Sequence, residues 1–181
     1  MIIVFTGNGK GKTTSSIGQM IRVIGRGKNA LMLQFIKGPW RSGEDEFSDF
    51  FNTYKKINKN LGEFKIKKGG LGFVGILGDK LPFEKHKKAA QKTLELFKKE
   101  VKKNKWHLIV LDEINVAVNL KLLTKKEILK AIKNFPKDKI LILSGRGAPK
   151  EFVNLADLVT EMKEIKHPFY KGKKAQVAIE F

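Results

Sequence analysis

Cysteine is absent from this 181-residue chain. That excludes a disulfide scaffold, a thiolate zinc site, an iron–sulfur cluster and a cysteine nucleophile. Arginine is scarce: only Arg22, Arg26, Arg41 and Arg146 stand among the 37 basic residues. Base-reading nucleic-acid interfaces lean on arginine forks, which lysine does not reproduce. The formal net charge of +19 therefore favours anionic partners in general, nucleotides included, without putting nucleic acid first. No apolar run approaches the ~18 residues of a membrane span, and Met1–Phe5 leads into a Gly/Lys loop without a signal-peptide pattern. The expectation is a cytoplasmic protein. Only three histidines occur, and none has triad or zinc-site spacing. His86, in a lysine-rich segment, reads as solvated, His107 as structural, and His167-Pro168 as the start of a turn.

What is present is a core. Hydrophobic residues make up 41% of the chain and fall in blocks, enough for one domain over residues 1–181. The blocks Ile2–Phe5, Ala30–Ile36, Leu108–Leu111 and Ile140–Leu143 read as strands, the last two wholly apolar and so central, with Leu158–Met162 as a fifth strand. Helical patterns alternate with them: Ile17, Met20, Ile21 and Ile24 in one, and Ala90, Leu94, Phe97 and Val101 within Phe83–Lys103 in another. Thr124 and Glu127 have capping-box spacing and open a further helix. The alternation predicts an α/β fold with a mostly parallel central sheet flanked by helices. One stretch, Gly69–Gly78, mixes glycines with apolar residues; it reads either as a surface loop or as a flexible cover for a partly apolar ligand.

The strongest chemical signal is Gly7-Asn8-Gly9-Lys10-Gly11-Lys12-Thr13-Thr14, between a strand and a helix. Successive backbone N–H groups there make a nest for phosphate oxygens, Lys12 adds a point charge, and the Thr13 hydroxyl suits Mg²⁺. Against the general G-x-x-x-x-G-K-[ST] pattern the loop is one residue short, because Thr6 stands where the first glycine belongs. Asp112 and Glu113 end an apolar strand, as metal-handling carboxylates beside a phosphate loop do, although Asp112 also suits a helix N-cap. Arg146, in Ser144-Gly145-Arg146-Gly147 after another buried strand, suits either a polyphosphate at the sheet's carboxyl edge or a surface salt bridge.

In combination these residues resemble the P-loop corrinoid adenosyltransferases. The likeness rests on Gly7–Thr14, on Gln34-Phe35-Ile36-Lys37-Gly38-Pro39-Trp40 with Gly43-Glu44, and on Leu111-Asp112-Glu113-Ile114-Asn115. It continues through Ser144-Gly145-Arg146, Ala156–Glu161, Lys166–Phe169, Gly172, Lys174–Gln176 and Ile179–Phe181. The short phosphate loop is that family's own form. The resemblance implies a RecA-like P-loop fold and transfer of the 5′-deoxyadenosyl group of ATP to the Co(I) of a corrinoid, with triphosphate leaving. The nucleotide would lie reversed relative to ordinary P-loop ATPases. It also implies roles: residues 7–14 on the triphosphate, Thr13 and Glu113 on Mg²⁺ with Asp112 in support, and Lys12 and Arg146 on leaving-group charge. Phe73 would crowd the lower axial face of cobalt. A reduced flavoprotein electron donor and a homodimer are further implications.

Two departures stand out. The second position of the aromatic pair that some relatives place under the cobalt is Gly75 here. The chain also opens at its first strand, without the N-terminal extension that covers the corrinoid site in some relatives. Competing readings are a P-loop ATPase or kinase, which would release ADP, and a RecA-like nucleic-acid-binding protein, which would bind DNA or RNA with steep salt dependence.

Overall fold

The structure, a computed structural model, describes residues 1–76, 78–172, 174 and 176–179. Of the stretches read from the sequence, Leu77, Ala175, Glu180 and Phe181 lie outside the described residues.

In chain order the elements are β1 (Ile2–Thr6), α1 (Lys12–Ile24), β2 (Ala30–Gln34), α2 (Gly43–Lys55), β3 (Phe64–Lys68) and α3 (Phe83–Lys102). They continue as β4 (Leu108–Asp112), α4 (Ile114–Asn119), α5 (Lys125–Ile132), β5 (Ile140–Ser144), α6 (Lys150–Leu155) and β6 (Leu158–Glu161). A 3₁₀ turn covers Pro168–Lys171. The strands form one sheet in the order β3-β2-β4-β5-β1-β6, and all the pairings are parallel. The expected α/β architecture is present, with the sheet wholly parallel.

Both faces of that sheet are covered, so its central strands carry unbroken apolar runs rather than alternation. Val4, Leu31, Leu33, Ile109, Leu111, Leu141 and Leu143 point to one side, onto Ala90, Leu94 and Phe97 of α3, Ile128 and Ile132 of α5, and Phe152 of α6. Their alternates Ile3, Phe5, Met32, Val110 and Ile142 point to the other, onto Met20 and Ile24 of α1 and Phe51 of α2. Each such side chain, fully buried, stabilises the fold by roughly 1.5–3 kcal/mol.

The helix predicted over Phe83–Lys103 is α3, and Thr124 caps α5 through the expected reciprocal bonds with Glu127. The elements that went unread include α2, β3 and the short helix α6. Helix α2 starts with a capping box between Ser42 and Asp45 and packs Phe47 and Phe51 against Phe64. Strand β3 is an edge strand whose lysines leave Phe64 as its fully buried residue. Strand β2 stops at Gln34, two residues short of Ile36. Helix α1 buries Met20 and Ile24 as expected, but Ile21 is exposed, on a face turned away from the sheet.

His86 is a correction. It is buried rather than solvated, with Nε2 3.0 Å from Asp79 Oδ2. Asp79 also accepts the backbone N–H groups of Gly75 and Leu81, so the pair fastens one end of the glycine-rich loop to α3. The other end is held by Trp40: a Cβ on Gly72 would lie 2.6 Å from its ring, and Gly72 N–H donates to the Ile36 carbonyl.

Candidate active site

The carboxyl ends of β1, β2, β4 and β5 carry every polar side chain that the sequence singled out at the phosphate loop, Asp112, Glu113 and Arg146. In an open parallel sheet this edge is where ligands bind. The phosphate loop turns sharply after β1. Gly7 adopts φ +92°, and a Cβ there would sit 2.3 Å from the Met162 carbonyl oxygen. That oxygen accepts the Gly9 N–H at 2.7 Å, while Met162 N–H donates to Thr6. The end of β6 therefore braces the outside of the loop.

Lys12 is buried at the centre of the curl, its ammonium donating to the carbonyls of Gly7 at 2.8 Å and Gly9 at 2.6 Å. Burial pulls its pKa down, against the opposing pull of Glu113. The Thr13 hydroxyl donates to Asp112 Oδ1 at 3.0 Å. The Asp112 carboxylate, fully buried, also accepts the Ser144 hydroxyl at 2.7 Å and the Gln34 amide at 3.2 Å. Asp112 does not cap the following helix. The N-cap of α4 is Glu113, at φ 60°, a left-handed conformation that a non-glycine residue holds only when its surroundings fix it. The Glu113 N–H donates to Ser144 Oγ. Its carboxylate Oε2 is buried without a hydrogen bond. Burial, and then the neighbouring Asp112, push the Glu113 carboxyl up to about 7.

The Arg146 loop is fixed from α4. Asn115 donates to the Gly145 carbonyl, and Asn119 donates to the carbonyls of Arg146 and Gly147. From β1, Thr6 Oγ1 accepts the Ala148 N–H.

One cavity of about 790 Å³ unites these parts. Asn8 through Thr14 line it together with Glu113 and Arg146, and Phe73, Phe47, Ile17 and Ile21 give it apolar lining. Lys37 and Glu44, paired with one another, line it too, as do His167, Ala178 and Ile179 of the tail. Phe73 is 52% exposed. Gly7 and Asp112 lie behind the surface, Gly7 against β6 and Asp112 beneath Thr13. The sequence reading passed over Gln34, Asn115 and Asn119 as supports, because nothing local marks a strand-end or helical amide as aimed at a site. Ile17 and Ile21, read from the sequence only as part of a helical pattern, form an i, i+4 face of α1 that borders the cavity, Ile17 packing on the core as well.

Among the described residues, no group of three or more His, Cys, Asp or Glu could hold a metal unaided. The buried Glu113 oxygen without a donor, lining the same cavity as Thr13, fits a hard cation completed by water and substrate phosphates. Mg²⁺ is commonly bound in that way. No helix among the described residues is long and apolar enough to cross a membrane.

A family model described as ATP:corrinoid adenosyltransferase BtuR/CobO/CobP matches residues 1–181. The corrinoid adenosyltransferase of Escherichia coli K12 is 32% identical over 181 residues, all of this chain and 85% of that protein. The corrinoid adenosyltransferase CobA of Salmonella typhimurium LT2 is 33% identical over the same span, again 85% of its length. A corrinoid adenosyltransferase of a Sinorhizobium species is 35% identical over 183 residues, 80% of its length. The chain belongs to the ATP:corrinoid adenosyltransferase family and is a transferase.

Proposed function

We propose that the family's reaction, ATP-dependent adenosylation of a corrinoid, runs in the cavity between the phosphate loop and Phe73. The Co(I) of the corrinoid attacks C5′ of ATP. A Co–C bond forms, the C5′–O bond breaks, and its electron pair leaves on the oxygen of inorganic triphosphate. Co(I) is itself a strong nucleophile, so no side chain need act as a general base. The protein's work is alignment, exclusion of water and stabilisation of charge on the leaving oxygen.

In this reading the N–H groups of Asn8 and residues 10–14 and the Lys12 ammonium hold the triphosphate, and Arg146 meets charge developing on it. Gly7 and Gly9 shape the loop instead, since the Gly9 N–H is taken by the Met162 carbonyl and Gly7 lies behind the surface. Thr13 and Glu113 hold Mg²⁺, which would supply further charge neutralisation. Asp112 orients the Thr13 hydroxyl. Phe73 and the other apolar side chains form the corrinoid side of the cavity. The proposal extends to a single domain over residues 1–181, a homodimer, a cytoplasmic setting and a reduced flavoprotein as external donor. The cysteine-free chain offers no thiol couple of its own to reduce Co(II).

The observation that carries the reading is the meeting of phosphate loop, buried carboxylate, arginine and apolar wall around one cavity. The test is to incubate the protein with MgATP and chemically reduced cob(I)alamin. Formation of the Co–C product together with triphosphate supports the assignment. ADP and phosphate as products would make it an ordinary ATPase or kinase instead.

A further inference from the structure

We propose that Lys37 is a further substrate-contacting residue, reaching the triphosphate of ATP from the β2 side of the cavity, with Glu44 as its positioning residue. This rests on the adenosyltransferase reading of the cavity.

Lys37 lies three residues beyond the end of β2 and lines the same cavity as Lys12, Glu113 and Arg146. Its ammonium donates to Glu44 Oε1, in the first turn of α2. This is not an ordinary surface ion pair. The two side chains are 33% and 16% exposed, whereas those of the nearby Arg41–Asp49 pair are 61% and 68% exposed. The turn that carries Glu44 is also fastened. Ser42 and Asp45 close the capping box, and Lys68 of β3 donates to both the Trp40 carbonyl and the Asp45 carboxylate. A lysine normally spends rotamer freedom when it engages a ligand; here Glu44 has already fixed the side chain.

Donor arithmetic shows what Lys37 adds. Lys12 directs two of its three N–H bonds to the loop carbonyls of Gly7 and Gly9, leaving one for substrate. Lys37 directs one to Glu44 and has two left for substrate. Cleavage at C5′ makes the whole triphosphate the leaving group. A fixed ammonium in the cavity lining then strengthens its bonds as charge develops.

The test is calorimetric binding of inorganic tripolyphosphate with Mg²⁺, combined with single-turnover adenosylation from preformed cob(I)alamin. Lys37→Met keeps the aliphatic stem and should weaken tripolyphosphate binding by about tenfold or more. Lys37→Gln should do the same, and Lys37→Arg should restore much of the affinity. Glu44→Gln should cost less. The double variant should bind like Lys37→Met alone, because Glu44 acts through Lys37. The transfer rate should fall in Lys37→Met even at saturating ATP. Wild-type affinity for tripolyphosphate in both Lys37→Met and Lys37→Gln would overturn the role of Lys37 alone. A wild-type protein that binds neither tripolyphosphate nor MgATP would overturn the underlying reading of the cavity, and Lys37 with it.

Discussion

Thr13 reaches from the first turn of α1 to Asp112 at the tip of β4, hydroxyl to carboxylate at 3.0 Å. The bond joins the phosphate loop to the strand that presents Glu113, so the two halves of the proposed triphosphate and Mg²⁺ site are held in register. Thr13→Ala should make activity depend more steeply on Mg²⁺ concentration. Lys12→Ala should weaken MgATP binding, transfer or both through loss of a charge-assisted contact of about 1.5–3 kcal/mol. Titrating Mg²⁺ and ATP in steady-state assays checks both; near-normal kinetics in both variants would remove the loop from the site.

Glu113 gives a pH signature that needs no substrate. Its carboxyl is raised from an ordinary 4.5 to about 7, so the folded protein keeps a proton that the unfolded chain releases. The stability gained from that proton is complete below pH 4.5 and is lost as the pH rises through about 7. In metal-free buffer the advantage of Glu113→Gln over wild type should grow by about 2 kcal/mol between about pH 5 and about pH 8. Urea unfolding at the two pH values measures it.

Glu100 gives the opposite slope. Burial alone would raise its carboxyl, but bonds from Trp106 at 2.8 Å, Lys103 at 2.9 Å and Lys67 at 3.3 Å hold it at about 2. Its contribution is present above pH 4.5 and disappears as the pH falls toward about 2. Glu100→Gln should cost roughly 2 kcal/mol at neutral pH, allowing for solvent screening of the two lysines. Acid titrations of the two proteins should converge.

Phe73→Ala should impair adenosylation that starts from reducible Co(II) corrinoid more than adenosylation of preformed Co(I). Equal losses in the two assays would dismiss a role for the ring at the lower axial face. Gly75 has open space around a Cβ position but a φ of +69°, so an aromatic side chain could fit there only at a conformational cost.

The lysines of helix α3 would attract the proposed external donor if that donor is acidic. Lys103 is already engaged by buried Glu100, so charge reversal should spare it. Lys98→Glu, Lys99→Glu and Lys102→Glu together should slow donor-dependent turnover and flatten its salt dependence, leaving turnover with preformed Co(I) nearly unchanged. Unaltered donor kinetics would leave these lysines as solubilising surface.

The central sheet was legible because Leu108–Leu111 and Ile140–Leu143 are buried on both faces and therefore read as unbroken apolar runs. The phosphate loop was legible because glycine spacing reports backbone conformation directly. Helix α2 was harder: its Ser42–Asp45 box and its Phe47, Phe51 pair are modest local signals within an acidic stretch. Strand β3 carries Lys65, Lys67 and Lys68 among five residues and is recognisable only beside β2. The burial of His86 depends on Asp79, which reaches it from an irregular loop with no periodicity to read. The supports Gln34, Asn115 and Asn119 take their meaning from neighbours distant in sequence.

Gly9 is bonded to Met162, and β1 lies between β5 and β6. During synthesis the first strand and its loop emerge long before either flanking strand exists. A nascent chain ending before residue 140 has no sheet position for β1, and one ending before Met162 lacks the brace behind the loop. The phosphate loop, the most local motif in the sequence, is thus completed by partners more than a hundred residues away.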